Sequence, residues 1–162
     1  MPDSVHVKGM SALEQFLEQL EPKLVKNVCR GAARAAANVI KPVAQSNINK
    51  VSGALARSLK VRTEARGGMP RAMVYTRVFY APFVEYGTKP HRIAGAKGRG
   101  LAIGGKIVAG VDHPGAQPKP FLRPALDTQA AAAVVAAGNY MKKRLADKHG
   151  LDTSDITIEE DE

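Results

Sequence analysis

The sequence has one cysteine, no tryptophan, few aromatics and no long apolar run. Cys29 stands alone, which excludes an internal disulfide and a metal site built from several cysteines. The absence of about 18 consecutive apolar residues predicts that the chain does not enter a membrane. The N-terminus, MPDSVH, lacks the basic and apolar regions of a secretory signal, so we expect synthesis in the cytoplasm. A length of 162 residues favours one domain with a modest core.

Acidic residues are scarce outside the last eleven positions. The chain carries 24 Lys and Arg against 15 Asp and Glu, a net charge of +9. Six of the acids fall in residues 152–162, which contain no Lys or Arg, so residues 1–151 keep nine acids against 24 bases, or +15. Such a body can bind polyanions, with the acidic segment masking it. It is equally well explained as a solubilising surface, with a disordered acidic tail over 152–162.

The periodicity of apolar residues predicts an α+β fold. Residues 11–40 show helical spacing, with a capping-box pattern at Ser11 and Glu14, and Pro42 is expected to kink or end the second helix. Residues 59–64 and 72–78 alternate as in an antiparallel hairpin. From 121 to 150 the helical period returns. The prediction is a single domain over 1–151 with N-terminal helices, a hairpin or small sheet, a long Gly-rich basic loop, and a C-terminal helix packed on the sheet.

The loop over residues 87–119 is predicted to be extended and flexible. It holds six Lys or Arg, one Asp and many glycines, and it contains no aromatic residue. Inside it, Gly104-Gly105 separates two short β-branched runs, which predicts a small hairpin with a two-residue turn. A long basic excursion of this kind in a compact domain is either functional or disordered.

The sequence offers weak candidates for chemistry. Residues 100–106 fit the G-x-x-x-x-G-K pattern of a phosphate-binding loop, but Ile107 stands where a Ser or Thr must hold the magnesium ion. His91 and the Asp112-His113 pair could be two parts of a catalytic or metal site, but a metal site also needs second-shell support, and the four histidines are scattered along the chain. No strained nucleophile turn of the G-x-S-x-G kind is present. We therefore expect no enzyme activity, no cofactor and no metal.

Nucleic-acid binding remains an alternative function. The basic body can contact phosphates, and such contacts carry no sequence information by themselves. Specific single-strand binding usually places aromatics among the basic residues, and the loop 87–119 has none. The alternative is therefore a basic nucleic-acid-associated protein whose contacts are nonspecific, as with DNA passing through a lumen.

Three stretches, taken together, carry a family resemblance. SGALARSLKV (52–61), YAPFVEYGT (80–88) and HPGAQPKPFLRPALD (113–127) occur in the order and spacing of a family of tailed-bacteriophage tail-component proteins. The chain resembles that family over roughly residues 50–127. The resemblance implies an α+β virion subunit, made in the bacterial cytoplasm, that assembles with itself into a six-fold ring at the head–tail neck or tail end. Its other partners would be neck, connector or tail-tube proteins, and the ring would serve tail completion and head–tail joining.

The aromatic stretch 79–91 and the start of the last helix are the expected site. Tyr80, Phe83 and Tyr86 recur at i, i+3 and i+6, one side of a short helical turn, and we expect them to pack on the apolar residues around Phe121. This cluster can be core, interface or both, and Glu85 needs a partner, for which Arg123 is the candidate. The expected interface and loop-anchoring residues are Tyr80, Pro82, Phe83, Glu85, Tyr86, Gly87, Pro120, Phe121, Arg123 and Pro124. The expected residues of the assembly loop are Lys97, Arg99, Gly104, Gly105 and Lys106.

Overall fold

The computed structural model describes residues 7–49, 53–95, 99–154 and 156–160. In it the chain divides into two compact units, the first made of Met1–Arg77 with Phe121–Glu162 and the second of Val78–Pro120. The sequence analysis instead assigns residues 1–151 to a single domain in which only 87–119 is set apart. The second unit begins nine residues earlier, because the aromatic stretch goes with the loop.

The first unit is mainly helical and carries one hairpin. Its elements are β1 (Val7–Lys8), α1 (Met10–Glu18), α2 (Pro22–Asn47), α3 (Ala54–Ser58), β2 (Lys60–Arg66), β3 (Met69–Tyr75), α5 (Leu122–His149) and β8 (Glu159–Glu160). The second unit contains α4 (Ala81–Tyr86), β4 (His91–Ala94), β5 (Leu101–Ile103), β6 (Lys106–Val108) and β7 (Gly110–His113). Helices combined with small antiparallel sheets confirm the α+β class.

The long helix α2 is the centre of the first unit. It packs along α5 and against both strands of the β2–β3 hairpin. Small residues make this close packing possible: a Cβ on Gly31 would lie 2.3 Å from the Tyr140 ring of α5. The C-terminal helix thus packs chiefly on α2, and it is α2 that covers the hairpin. None of the helices in the described ranges is long and apolar enough to cross a bilayer.

The β2–β3 hairpin is formed as its sequence alternation predicts. Its register pairs Val61 with Val74 and Thr63 with Ala72, so the small and β-branched residues of the two strands share one face. Gly67 and Gly68 make the turn with φ of +59° and +83°. Two successive positive φ values define the type I′ turn, whose twist matches that of the flanking strands.

Two helix boundaries differ from those that the sequence predicts. The N-cap of α1 is Gly9, at φ +83°, and the cap has no side-chain hydrogen bond. Ser11 therefore lies inside the first turn, and the capping-box prediction is wrong. α2 runs through Pro42 to Asn47 instead of ending there. A proline inside a helix loses one backbone hydrogen bond, and here the packing of α2 on two neighbours offsets that loss.

The C-terminal segment packs against the helices. Ile156 and Ile158 are buried in one cluster with Leu13, Val28 and Leu145, and β8 pairs with β1. The sequence analysis assigns 152–162 to a disordered acidic tail, whereas the structure buries two of its side chains. The difference arises because the acids dominate the composition and hide the alternation Ile-Thr-Ile at 156–158.

A tight turn returns this segment to the helices. Gly150, at φ +62°, ends α5, and its N–H and that of Leu151 donate to carbonyl oxygens of the last turn. Asp152 Oδ1 then accepts hydrogen bonds from the Ser154 N–H at 3.0 Å and the Ser154 hydroxyl at 2.7 Å. The hydrogen bond from the Ser154 N–H has the larger effect and that from the Ser154 hydroxyl the smaller, and both hold the pKa of Asp152 below its ordinary value.

Candidate assembly surface

The aromatic stretch forms the short helix α4, with its rings in solvent. Pro82 occupies the first turn, where a missing N–H costs little, and Gly87 ends the helix at φ +71°. Phe83 is 53% exposed and Tyr86 is 79% exposed. Phe79, just before the helix, is 81% exposed and meets the Tyr80 ring edge-on at 5.4 Å. These rings therefore do not form a closed core in the single chain.

Exposed apolar side chains are concentrated in the second unit. Of the nine large hydrophobic residues that are exposed in the described part of the chain, seven lie there: Phe79, Phe83, Tyr86, Ile93, Ile103, Ile107 and Val111. Among the residues the structure describes, the second unit buries only Ala81 and Glu85. A segment of 43 residues with many exposed apolar groups and almost no core of its own is typical of a surface that binds another protein.

The rest of the second unit is a two-part β-ribbon, made of β4 to β7. The strands β4 and β7 pair with His91 opposite His113 and Arg92 opposite Asp112. The Arg92–Asp112 ion pair, 3.6 Å apart and exposed, adds little stability. Beyond it, β5 and β6 form the hairpin that the sequence predicts, with Gly104 and Gly105 in the turn at φ +55° and +78°. The pairing of β4 with β7 was not predicted.

Backbone hydrogen bonds close the base of the ribbon. Thr88 and Ala116 exchange two of them, at 2.9 and 3.1 Å. The Lys119 N–H donates to the Val84 carbonyl of α4 at 2.8 Å. Gly87 is required at this crossing, because a Cβ there would lie 2.4 Å from the Ala116 oxygen. α4 and the ribbon are thus tied together at one place.

Gly87→Ala should open the base of the ribbon without unfolding the first unit. The alanine would be strained at positive φ and would also clash with the Ala116 carbonyl, and backbone strain alone costs about 1–3 kcal/mol. We expect the Thr88 and Ala116 amides to exchange hydrogen about tenfold to a hundredfold faster. Gly105→Ala is the matched control, since its φ is also positive but nothing lies within 4 Å of a Cβ there. Equal exchange rates at Thr88 in the two variants would contradict the prediction.

The predicted site residues fall into different environments. Phe121 is 1% exposed and is the N-cap of α5, and its carbonyl accepts a hydrogen bond from Asn47 Nδ2 at 3.3 Å. Arg123 and Pro124 lie in the first turn of α5, and Pro120 is exposed at the end of the second unit. Glu85 is 7% exposed, and its pairing with Arg123 stays a prediction. Arg99 and Lys106 are exposed, and Lys97 lies outside the described residues.

The two candidate histidines and the cysteine lie in ordinary local environments. The His91 and His113 rings stack at 5.1 Å, but His91 Nδ1 lies 2.9 Å from the Lys89 carbonyl and His113 Nδ1 accepts from the Gly115 N–H, so both serve local turns. Burial raises the pKa of the Cys29 thiol, which disfavours the reactive thiolate. Within the described ranges, no three His, Cys, Asp or Glu residues are grouped so as to hold a metal ion.

Part of this chain is similar to a known protein family. Residues 11–87 match the model of the family described as "Bacteriophage HK97-gp10, putative tail-component". The chain resembles the bacteriophage tail-component family. This match confirms the resemblance drawn from the sequence. No curated protein and no solved structure matches the chain.

The boundaries of the family match divide the candidate surface. The match ends at Gly87, so it includes the first unit's N-terminal helices, the β2–β3 hairpin and α4. The β-ribbon and α5 lie beyond it. The aromatic helix α4 thus lies within the part of the chain that matches the tail-component family.

The packing of the α4 aromatics on the residues around Phe121 stays a prediction. Sequence reasoning did not establish that Phe83 and Tyr86 are exposed, because spacing shows which side chains share a helix face but not what covers that face. It also missed the β4–β7 ladder, because no turn residue marks the pairing of strands that are 16 residues apart. The apolar residues Ile93 and Val111, which are paired in the ladder, are the sequence feature that could have indicated this pairing.

Proposed function

We propose that this protein is a structural subunit of a bacteriophage virion that forms a ring at the head–tail neck or at the tail end. In this role it completes the tail and supports the joining of head and tail, and it catalyses no reaction. The observation that carries the proposal is the second unit, which exposes seven large apolar side chains and buries almost none. The match to a tail-component family supports a location in the virion.

Burial of these apolar side chains would supply the free energy of assembly. Fully burying one Phe or Ile side chain is worth about 1.5–3 kcal/mol relative to leaving it in water. In a monomer the exposed parts of Phe79, Phe83 and Ile107 contribute no burial free energy. A subunit that contacts neighbours on several sides would gain free energy from burying each of them. In a closed ring every subunit has the same neighbours, so no subunit is left with an exposed contact surface. We propose a six-fold ring, with neck, connector or tail-tube proteins stacked on its two ends.

Replacing Leu101–Val108 by a short Gly/Ser linker should leave the subunit folded and block joining. The first unit has its own core, and the β4–β7 ladder and the Thr88–Ala116 bridge lie outside the replaced segment. Phage carrying this change should yield filled heads and tails that do not join, or tails with defective ends. Electron microscopy of infected-cell lysates measures this directly.

The control for this experiment is a Gly/Ser replacement of the β2–β3 turn residues Gly67-Gly68, which lie in the first unit and are exposed. That change should give normal virions. Normal virions from the Leu101–Val108 replacement as well would mean that the hairpin has no part in joining. Loss of folding in the purified replacement, seen by circular dichroism, would place the hairpin in the core instead.

A second candidate function is nonspecific association with nucleic acid. The second unit carries six Lys or Arg against Glu85 and Asp112, a net charge of +4. Binding through phosphates would fall steeply with salt, whereas association through apolar side chains survives it. Measuring self-association and DNA binding between 50 and about 200 mM salt separates the two functions. DNA passing through the ring would account for a weak, salt-sensitive contact.

A further inference from the structure

Two segments of the sequence that belong to the first unit are rich in acidic residues. Residues 10–21 contain three acids and no Lys or Arg, and residues 152–162 contain six acids and no Lys or Arg. These two segments hold nine of the 15 acids. In the described parts of these segments, Leu13 of α1 is buried in one apolar cluster with Ile156 and Ile158, and β8 pairs with β1, directly before α1.

An apolar groove opens beside α1. It has a volume of about 520 Å³ and is lined by Ser11, Leu13, Glu14, Leu17, Glu18, Val25 and Met141. Two of these seven residues are charged, and both are glutamates of α1 in solvent. Lys23 and Lys26 lie on the neighbouring turns of α2 but do not line the groove. The groove therefore suits an occupant that carries exposed apolar side chains beside basic ones.

The β5–β6 hairpin of the second unit has that chemistry. Ile103 is half-exposed and Ile107 is 81% exposed, on opposite faces of the hairpin. Arg99 and Lys106 are both exposed beside them. A two-stranded hairpin without a third strand or a covering helix is only marginally stable in water, so its apolar faces favour a partner. With two strands about 4.8 Å apart, it is also narrow enough to enter a groove.

We propose that the β5–β6 hairpin of one subunit docks in the Leu13–Leu17–Met141 groove of the next subunit. Ile103, which lies on the same face of the hairpin as Lys106, would cover the groove, and Arg99 and Lys106 would lie against Glu14 and Glu18. The contact joins two different surfaces, so it is head-to-tail, and repeating it around an axis closes a ring. The inference rests on the proposed ring and names its subunit contact. It also gives the acidic residues of the groove a role, which is to steer the basic hairpin.

Charge reversal with mixing tests this contact. One variant carries Glu14→Lys and Glu18→Lys, and the other carries Arg99→Glu and Lys106→Glu. Each variant alone places like charges across the contact, and we expect its self-association to weaken by about tenfold or more. An equimolar mixture restores opposite charges at every contact, since each chain then has a complementary neighbour on both sides. Alternating subunits also close a ring of even number. Sedimentation velocity over a concentration series at low salt measures all four samples, including the wild type.

Matched controls separate this contact from general effects of charge. Asp127→Lys and Lys60→Glu make the same kinds of change at exposed positions outside the groove and the hairpin. Asp127 lies 14 residues before Met141 on α5, about 21 Å at 1.5 Å per residue. Both controls should associate as the wild type does. Circular dichroism and thermal unfolding verify that each variant is folded before it is mixed.

Restored association in the mixture, together with loss in each variant alone, supports the inference. If each variant alone associates as the wild type does, or if the mixture stays dissociated, the inference is overturned while the proposed ring stands on other contacts. A wild type that stays monomeric at all concentrations also overturns this contact. The proposed function fails on a different result, which is normal joined virions from phage that lack the protein.

Discussion

Replacing Phe121 by alanine should lower the free energy of unfolding by about 3–5 kcal/mol. Among the residues that the structure describes, Phe121 has the largest fully buried side chain, and it lies where the chain enters α5. The substitution removes its apolar contacts and leaves a cavity that the surrounding helices can fill only in part. Since a domain of this size is stable by about 5–15 kcal/mol, the variant should unfold at a much lower temperature or urea concentration. Equilibrium urea unfolding followed by circular dichroism measures the change.

Phe83→Ala is the matched control, because it makes the same chemical change at an exposed ring. We expect its unfolding free energy to stay within about 0.5 kcal/mol of the wild type. Its self-association should weaken instead, as Phe83 lies in the proposed assembly surface. A small loss of stability for Phe121→Ala, equal to that of Phe83→Ala, would show that the Phe121 ring is not part of the core.

The two phenylalanines show what the sequence can and cannot predict. Both stand in proline-containing stretches at the start of a helix, and both look like anchors of an apolar cluster. Burial depends on which elements pack over a residue, which is a property of the tertiary structure. The sequence therefore identified both helix starts but not their environments, with Phe121 inside the first unit and Phe83 in solvent.

Hairpins were predicted well because their turns have local chemistry. Gly67-Gly68 and Gly104-Gly105 both stand between alternating runs, and both adopt the two positive φ values of a type I′ turn. The long helices were predicted equally well, because the helical spacing of their apolar residues extends over many positions. Helix ends were less certain, since Gly9 rather than Ser11 caps α1. Caps depend on one or two hydrogen bonds, which a sequence pattern specifies weakly.

Long-range pairing of short segments was beyond the sequence. The β4–β7 ladder joins strands of four residues each, and β1–β8 joins the two ends of the chain. Segments so short carry little periodicity, so the sequence does not show which of them pair. The groove beside α1 was also beyond the sequence, since its lining comes from α1, α2 and α5 together.

Ile158→Ala should lower the free energy of unfolding by about 2–5 kcal/mol, although Ile158 lies four residues before the end of an acidic segment. Its side chain is buried against α5 at Gly138, where a Cβ would lie 2.9 Å from Ile158 Cγ2. The glycine in this otherwise Ala-rich stretch gives the isoleucine the space it occupies. Removing the side chain would leave that space empty and would expose part of the Leu13–Leu145 cluster. Urea unfolding of the purified variant measures the loss.

Thr157→Ala is the control, because Thr157 lies between the two buried isoleucines and is itself exposed. It should change the unfolding free energy by no more than about 0.5 kcal/mol. Ile156→Ala should behave like Ile158→Ala, since both side chains belong to the same cluster. If all three substitutions leave stability unchanged, the last eleven residues are a solvated acidic tail. If only the isoleucine variants are destabilised, the alternation at 156–158 rather than the charge decides the structure of this segment.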